Sequence, residues 1–198
     1  PYQALLLGGF ALAASTLLAT GNENTKEGIA LRLQEDLLSS LEQVVPTEVH
    51  DNDLLKDTLV LNQNDGSDIK IYRGLKDNKI SALAYGMTTY GYGGAINVIM
   101  GVDHSGEILG VRVINHAETP GLGDKIEVAK NDWITKFNGL SFGNLLPDQW
   151  KVKKDGGHFD QFSGATITPR AVVKAVKAGL DFFEKNKTTL LKTGAKDE

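Results

Sequence analysis

The feature that most constrains this chain is an uncharged apolar run near its N-terminus. From Ala4 to Ala19 it reads ALLLGGFALAASTLLA, without one ionisable side chain. A helix that crosses a bilayer needs about 20 predominantly apolar residues, with about 17 as the lower limit, and the run stands at that limit. Gly8 and Gly9 are tolerated in membrane helices, where small residues also allow helices to approach closely. The run reads as a retained transmembrane anchor over residues 1–21. The alternatives are a cleaved signal core, which FALAAS resembles through its small residues, and a buried soluble helix. An anchor or a signal would each export the rest of the chain. The chain opens at Pro1 rather than Met, so a short basic leader is expected ahead of it. Lys26 stands beside Glu23 and Glu27, and flanking charge does not fix an orientation.

Behind the anchor the composition is that of a folded protein, with 41% hydrophobic and 23% charged residues. The 198 residues suffice for one domain plus an appendage. A net charge of -4 argues against nucleic acid as a partner, since phosphate contacts need clustered Lys and Arg. Cysteine is absent, which removes disulfides, thiolate chemistry and Cys-ligated metal or iron–sulfur sites.

Hydrophobic periodicity then divides the chain. Leu33, Leu37, Leu41 and Val44 recur at helical spacing, widened by Leu38 and Val45 and stopped by Pro46. This predicts a juxtamembrane helix within 22–46 whose stripe serves core packing. From Thr58 the period becomes that of strands in TLVLN, SDIKIYRGL and KISALAYGMTTY. Ala95–Val102 and Ile108–His116 read as a hairpin around DHSGE, with Gly106 able to take positive φ. NDWITKFNG predicts a short helix capped by Asn131 or Asp132 and stopped at Gly139. QWKVKK reads as a further strand. The last helix is expected to begin with Thr168 as N-cap and Pro169 in the first helical position, with Val172, Val173, Val176, Leu180 and Phe183 forming its apolar face. The fold class is α+β: an antiparallel sheet flanked by helices, with one N-terminal transmembrane helix and one domain over 47–198.

The four histidines, His50, His104, His116 and His158, have no ligand-like spacing, so no metal site is expected. No nucleophile elbow and no phosphate loop is present, and GYGGAI is too short for a dinucleotide fingerprint. Two loops remain. HAETPGLGDKIE, from His116 to Glu127, places Pro120, Gly121 and Gly123 in close order after a strand. It reads either as an ordinary turn or as a loop where backbone approaches a ligand, with Glu118, Thr119 and Leu122 facing it. HFDQFSGATITPR sets Ser163, Gly164 and Ala165 before a helix N-terminus, which favours an anion. Lys151, Lys153 and Lys154 lie just upstream. A plain capping turn accounts for the same residues. A threonine there lacks a local base, so a phosphate ester on it would need another enzyme to install it.

ETPGLGDKIE, DWITKF, KKDGG and FDQFSGATIT, in that order, resemble the G subunit of the Rnf (Rsx) electron-transport complex. More distantly the chain is similar to the C subunit of the sodium-pumping NADH:quinone reductase. The resemblance runs from the anchor through the final helix. It implies FMN joined through its phosphate to a threonine hydroxyl, in a pattern matched here by Asp160, Ser163, Gly164, Ala165 and Thr166. Thr166 is then the acceptor and Thr168 a neighbouring cofactor contact. Asp160 is expected to serve recognition by the flavin transferase that makes the bond. The same resemblance places Glu118, Thr119, Leu122 and Gly123 around the flavin ring, Tyr92 against it, and Lys154 near the cofactor. It implies no catalytic acid–base dyad. It further implies a relay subunit without independent turnover, held in the bacterial inner membrane with its domain on the periplasmic side. The expected partners are the other subunits of the complex, the transferase during maturation, and membrane lipid. Two rival readings remain: a covalent-FMN subunit of another reductase, or a membrane-anchored scaffold whose threonine is never modified.

Overall fold

Strong strand formers separated by tight turns dominate the middle of the chain, and they build the sheet. A computed structural model describes residues 2–62 and 68–192, apart from the side chains of Leu5, Glu23, Asn24, Glu27, Ala30 and Leu33. Leu33 of the expected stripe and residues 193–198 of the expected domain therefore lie outside the described residues.

Helix α1 runs without a break over Tyr2–Val44, through the TGNENTKEG segment, and ends two residues before Pro46. The chain divides into two compact units between Ser39 and Ser40. In the first, Tyr2–Asn22 is long and apolar enough to cross a membrane, and none of it is buried.

In the second unit, five strands form one antiparallel sheet in chain order: β1 (Thr58–Asn62), β2 (Asp68–Lys76), β3 (Lys79–Tyr90), β4 (Ala95–Asp103) and β5 (Ile108–Asn115). Two-residue and short turns fix the register. Asp77 and Asn78 both take positive φ, 52° and 59°, the left-handed pair that a two-residue hairpin requires. Gly106 turns β4 into β5 at φ 97°, where the Asp103 carboxylate accepts N–H bonds from Ser105, Gly106 and Glu107.

β4 is apolar on both sides because both are covered. Successive residues of a strand face opposite ways, and Val98 through Val102 are all buried. On the Met100 face lies α2 (Ile167–Leu190), whose Val172, Val173, Val176, Leu180 and Phe183 are buried. Gly179 lets this helix approach closely, since a β-carbon there would overlap the Met100 sulfur. The Tyr85 hydroxyl donates to the Gly179 carbonyl at 2.8 Å, and burial pushes the phenol's pKa up. On the Gly101 face, Gly101 and Gly110 are register partners. Their missing side chains admit the backbone at Val44, and Leu41, Val44 and Val45 are fully buried.

Beyond β5 the chain packs an aromatic cluster of Trp133, Phe137, Trp150, Phe159 and Phe162. The DWITKF helix is a 3-10 helix over Asp132–Phe137, and Asn131 caps it by accepting the Trp133 N–H. Gly139, at φ 77°, follows it. The strand expected at QWKVKK does not form. Two 3-10 turns, Pro147–Gln149 and Lys153–Asp155, occupy that region, and Val152 makes only an isolated bridge to Phe159. The alternation of Trp150 and Val152 serves the aromatic cluster, in which both are buried, rather than a sheet face.

Candidate functional site

Three glycine-bearing segments converge on one cleft. They are the GYGG loop after β3, the loop after β5, and the turn into α2. The cleft has a volume of about 340 Å³, within the size range of small-ligand sites. Tyr92, Glu118, Thr119, Leu122, Gly123, Gly164, Ala165, Thr166, Ile167 and Thr168 line it.

Glycine permits the convergence. A β-carbon on Gly93 would overlap the Ala117 carbonyl, and one on Gly91 would overlap the Glu118 carboxylate. On Gly123 it would stand 2.9 Å from both Glu118 Cβ and Thr168 Oγ1. Real β-carbons do not sit that close, so all three positions need hydrogen as their side chain.

Glu118 joins the three segments. It is buried, with 5% exposure. Its Oε1 accepts the Gly93 N–H at 2.8 Å, and its Oε2 accepts the Tyr92 N–H at 3.3 Å and the Thr168 hydroxyl. Its own N–H donates to His116 Nδ1 at 3.0 Å. The other ring nitrogen of His116, Nε2, lies 2.8 Å from Glu127 Oε1. Lys130 and His116 hold the Glu127 carboxyl below the usual carboxylate range.

Thr168 corrects an expectation. The last helix begins at Ile167, and Thr166 rather than Thr168 stands at its cap position, without a side-chain cap bond. The Thr168 hydroxyl instead donates to Glu118 inside the first turn, because the buried carboxylate demands a donor more strongly than an exposed helix end does. Thr166 is half-buried on the cleft wall. Gly164, at φ 79°, reverses the chain before it. The N–H groups of the first helical turn have no acceptor within the helix and carry its partial positive charge.

Most of the residues singled out in the sequence meet here: Tyr92, Glu118, Thr119, Leu122, Gly123, Gly164, Ala165, Thr166 and Thr168. Ser163 and Lys154 do not line the cleft. Ser163 is exposed one residue before it, and the exposed Lys154 gives its backbone N–H to Gln161 Oε1 at 3.1 Å. Lys153 faces Asp160 instead, at 2.6 Å. Asp160 also pairs with Lys136 at 3.0 Å, and its carbonyl accepts the Trp133 indole N–H at 2.8 Å. Those two lysines hold its carboxyl below the usual range. Ile167 went unnoticed in the sequence. Its signal was an apolar side chain off the buried stripe of α2, on the same face as Arg170 and Lys174, and it is 48% exposed.

Residues 91–181, which contain every residue of this cleft, match the family model of the FMN-binding domain. The fold is also that of a solved structure. The C subunit of the Na+-translocating NADH-quinone reductase from Parabacteroides distasonis superposes with a TM-score of 0.50 at 19% identity, covering 67% of this chain and 78% of that one. The fold and the cleft thus define an FMN-binding-domain protein. Sequence relatives narrow the class. The G subunit of the ion-translocating oxidoreductase complex of Cereibacter sphaeroides is 49% identical over 187 residues, covering 94% of this chain and 85% of that protein. Its counterpart in Stutzerimonas stutzeri is 46% identical, over 94% and 82%, and that of Shewanella piezotolerans 43%, over 98% and 94%. The chain belongs to this family, the G subunits of ion-translocating oxidoreductase (Rnf) complexes.

The residues fit FMN. Tyr92, Leu122, Ala165 and Ile167 give apolar surface for a ring, and Thr119 and Thr166 give hydroxyls. Among the described residues no lysine or arginine lines the cleft, so a phosphate at the start of α2 would be met by backbone N–H groups and the helix dipole.

Proposed function

We propose that this chain is the membrane-anchored electron-relay subunit of an Rnf-type complex, and that it carries FMN through a phosphoester on Thr166. The observation that carries this reading is the position of Thr166. It is the hydroxyl at the foot of α2, placed directly after the small residues Gly164 and Ala165 and lining a cleft formed by distant parts of the chain.

FMN supplies one- and two-electron redox chemistry when bound, and the protein supplies position and electrostatics. Thr166 serves as tether. Gly164 and Ala165 leave room beside it for a phosphate, and the start of α2 favours the phosphate charge. Tyr92, Leu122 and Ile167 exclude water from part of the cleft. They are themselves 74%, 43% and 48% exposed, so the cleft mouth stays open to a partner's redox group. Among the described residues no base is poised on Thr166, and a flavin transferase is the agent that makes the bond, with Asp160 in its recognition sequence. The paired lysines would then present Asp160 in a fixed pose. Residues 2–22 anchor the protein in the inner membrane lipid, the domain lies on the periplasmic side, and the remaining subunits of the complex are its standing partners.

The test is coexpression of the full chain with a flavin transferase, followed by a denaturing gel under ultraviolet light. The wild-type band should fluoresce and gain the mass of one FMN less one water. Thr166→Ala should do neither. A dark wild-type band would return the chain to an unmodified scaffold, and a fluorescent Thr166→Ala band would move the tether elsewhere.

A further inference from the structure

Glu118 does more than close the cleft. Its carboxylate is buried, lines the cavity, and meets only neutral donors: two backbone N–H groups and one hydroxyl. The neighbouring imidazole of His116 meets Glu118 only at its backbone N–H, and its other ring nitrogen faces Glu127 rather than the Glu118 carboxylate. Among the described residues no Lys, Arg or His side chain is bonded to this carboxylate, whereas Asp124, Glu127, Asp155 and Asp160 all pair with cations. Nor does any cation line the cleft. A charge in a partly dehydrated site acts over longer distances than one in water.

We infer that Glu118 is a fixed negative charge that makes the cofactor of this cleft harder to reduce, a potential-setting residue as well as a positioning one. The inference rests on the reading that the cleft holds FMN. An electron arriving on a ring in the cavity brings negative charge towards the carboxylate, and that repulsion lowers the midpoint potential. The Thr168 hydroxyl works against it. By donating to Oε2 it draws charge off the carboxylate, so Thr168 sets how much of the repulsion reaches the ring.

The two residues make opposite predictions, which separates charge from packing. Glu118→Gln keeps the shape and removes the charge, and should shift the midpoint potential upward. Thr168→Val keeps the shape and the charge but removes a donor, and should shift it downward. Glu118→Asp keeps the charge and should stay nearer the wild type than Glu118→Gln does. The full chain, coexpressed with the transferase, is titrated by visible spectroelectrochemistry, with fluorescence of the denatured band as the measure of loading. An unchanged or lowered potential in loaded Glu118→Gln overturns the inference. So does a shift of both variants in the same direction, which is the signature of a loosened cleft. If Glu118→Gln does not fold, Thr168→Val decides, and an unchanged or raised potential there overturns it. A wild-type chain without flavin defeats the covalent reading itself, and this inference with it.

Discussion

Gly101 and Gly110 face each other across β4 and β5, and the backbone at Val44 occupies the space their side chains would take. A β-carbon on Gly110 would stand 2.8 Å from Val44 Cα and 2.9 Å from the Gln43 carbonyl oxygen. Neither is the end of a flexible side chain, so the clash is relieved only by moving the helix end off the sheet. Gly110→Ala should therefore destabilise the domain by about 1–3 kcal/mol, the usual range for overpacking. The midpoint of urea unfolding should fall with its slope unchanged. A midpoint within error of wild type would show that Val44 does not rest there.

Trp133 ties the aromatic cluster to the segment that leads to the proposed acceptor, Thr166. Its indole N–H bonds the Asp160 carbonyl at 2.8 Å, and the ring packs edge-on against Phe162. Trp133→Phe leaves that carbonyl without its donor and should cost about 1–3 kcal/mol. We also expect slower loading of Thr166 at equal transferase, because the turn between Asp160 and Thr166 loses its hold. Equal loading rates would separate the cluster from the site.

Asp155 and Asp160 set an acid limit. Arg170 lowers the first carboxyl, and Lys153 with Lys136 lowers the second. In the unfolded chain both titrate near the ordinary aspartate value of about 3.9. A lowered folded value means the contribution is full above that pH and disappears as pH falls through the folded values. Stability measured from pH 6 down to pH 3 (about the span of ordinary carboxylate titration) should decline, and less steeply in Asp160→Asn. All three ion pairs are solvent-facing, so added salt should shrink the difference. An identical decline in the variant would remove Asp160 from the account.

The cysteine-free chain makes orientation simple to test. Asp148 is exposed on the sheet-bearing unit. A single Asp148→Cys substitution should react with a membrane-impermeant maleimide in cells whose outer membrane alone has been opened. Labelling only after lysis would place the domain on the cytoplasmic side. The full chain should also stay with the membrane through alkaline carbonate washing, because Tyr2–Asn22 is held by hydrophobic burial rather than charge.

Local patterns announced much of this fold. The strands, the β4–β5 hairpin with its glycine, and the buried face of α2 follow from period and turn chemistry, since both are properties of neighbouring residues. Features that depend on distant partners were not legible in that way. Trp150 and Val152 alternate like a strand, yet Trp150 packs on the rings of Phe137 and Phe159 and Val152 is buried in the same core. Thr168 has the chemistry of a cap, but Glu118, fifty residues earlier, claims its hydroxyl. Gly91 and Gly93 of GYGG look like slack in the sequence, and their need emerges only when Ala117 and Glu118 arrive against them. The cleft residues were legible through family likeness, whereas Ile167 was missed, although an apolar residue on the polar side of a helix was the physical signal for it.

The cleft draws its walls from Tyr92, from four residues between Glu118 and Gly123, and from residues 164–168, while the proposed acceptor sits on one short turn. Attachment and seating are thus two separate events with different requirements. A chain with a damaged sheet could still present its threonine and be tagged, yet hold the ring in nothing. A fluorescent band then counts tethers, and only the colour and potential of the native protein count seats.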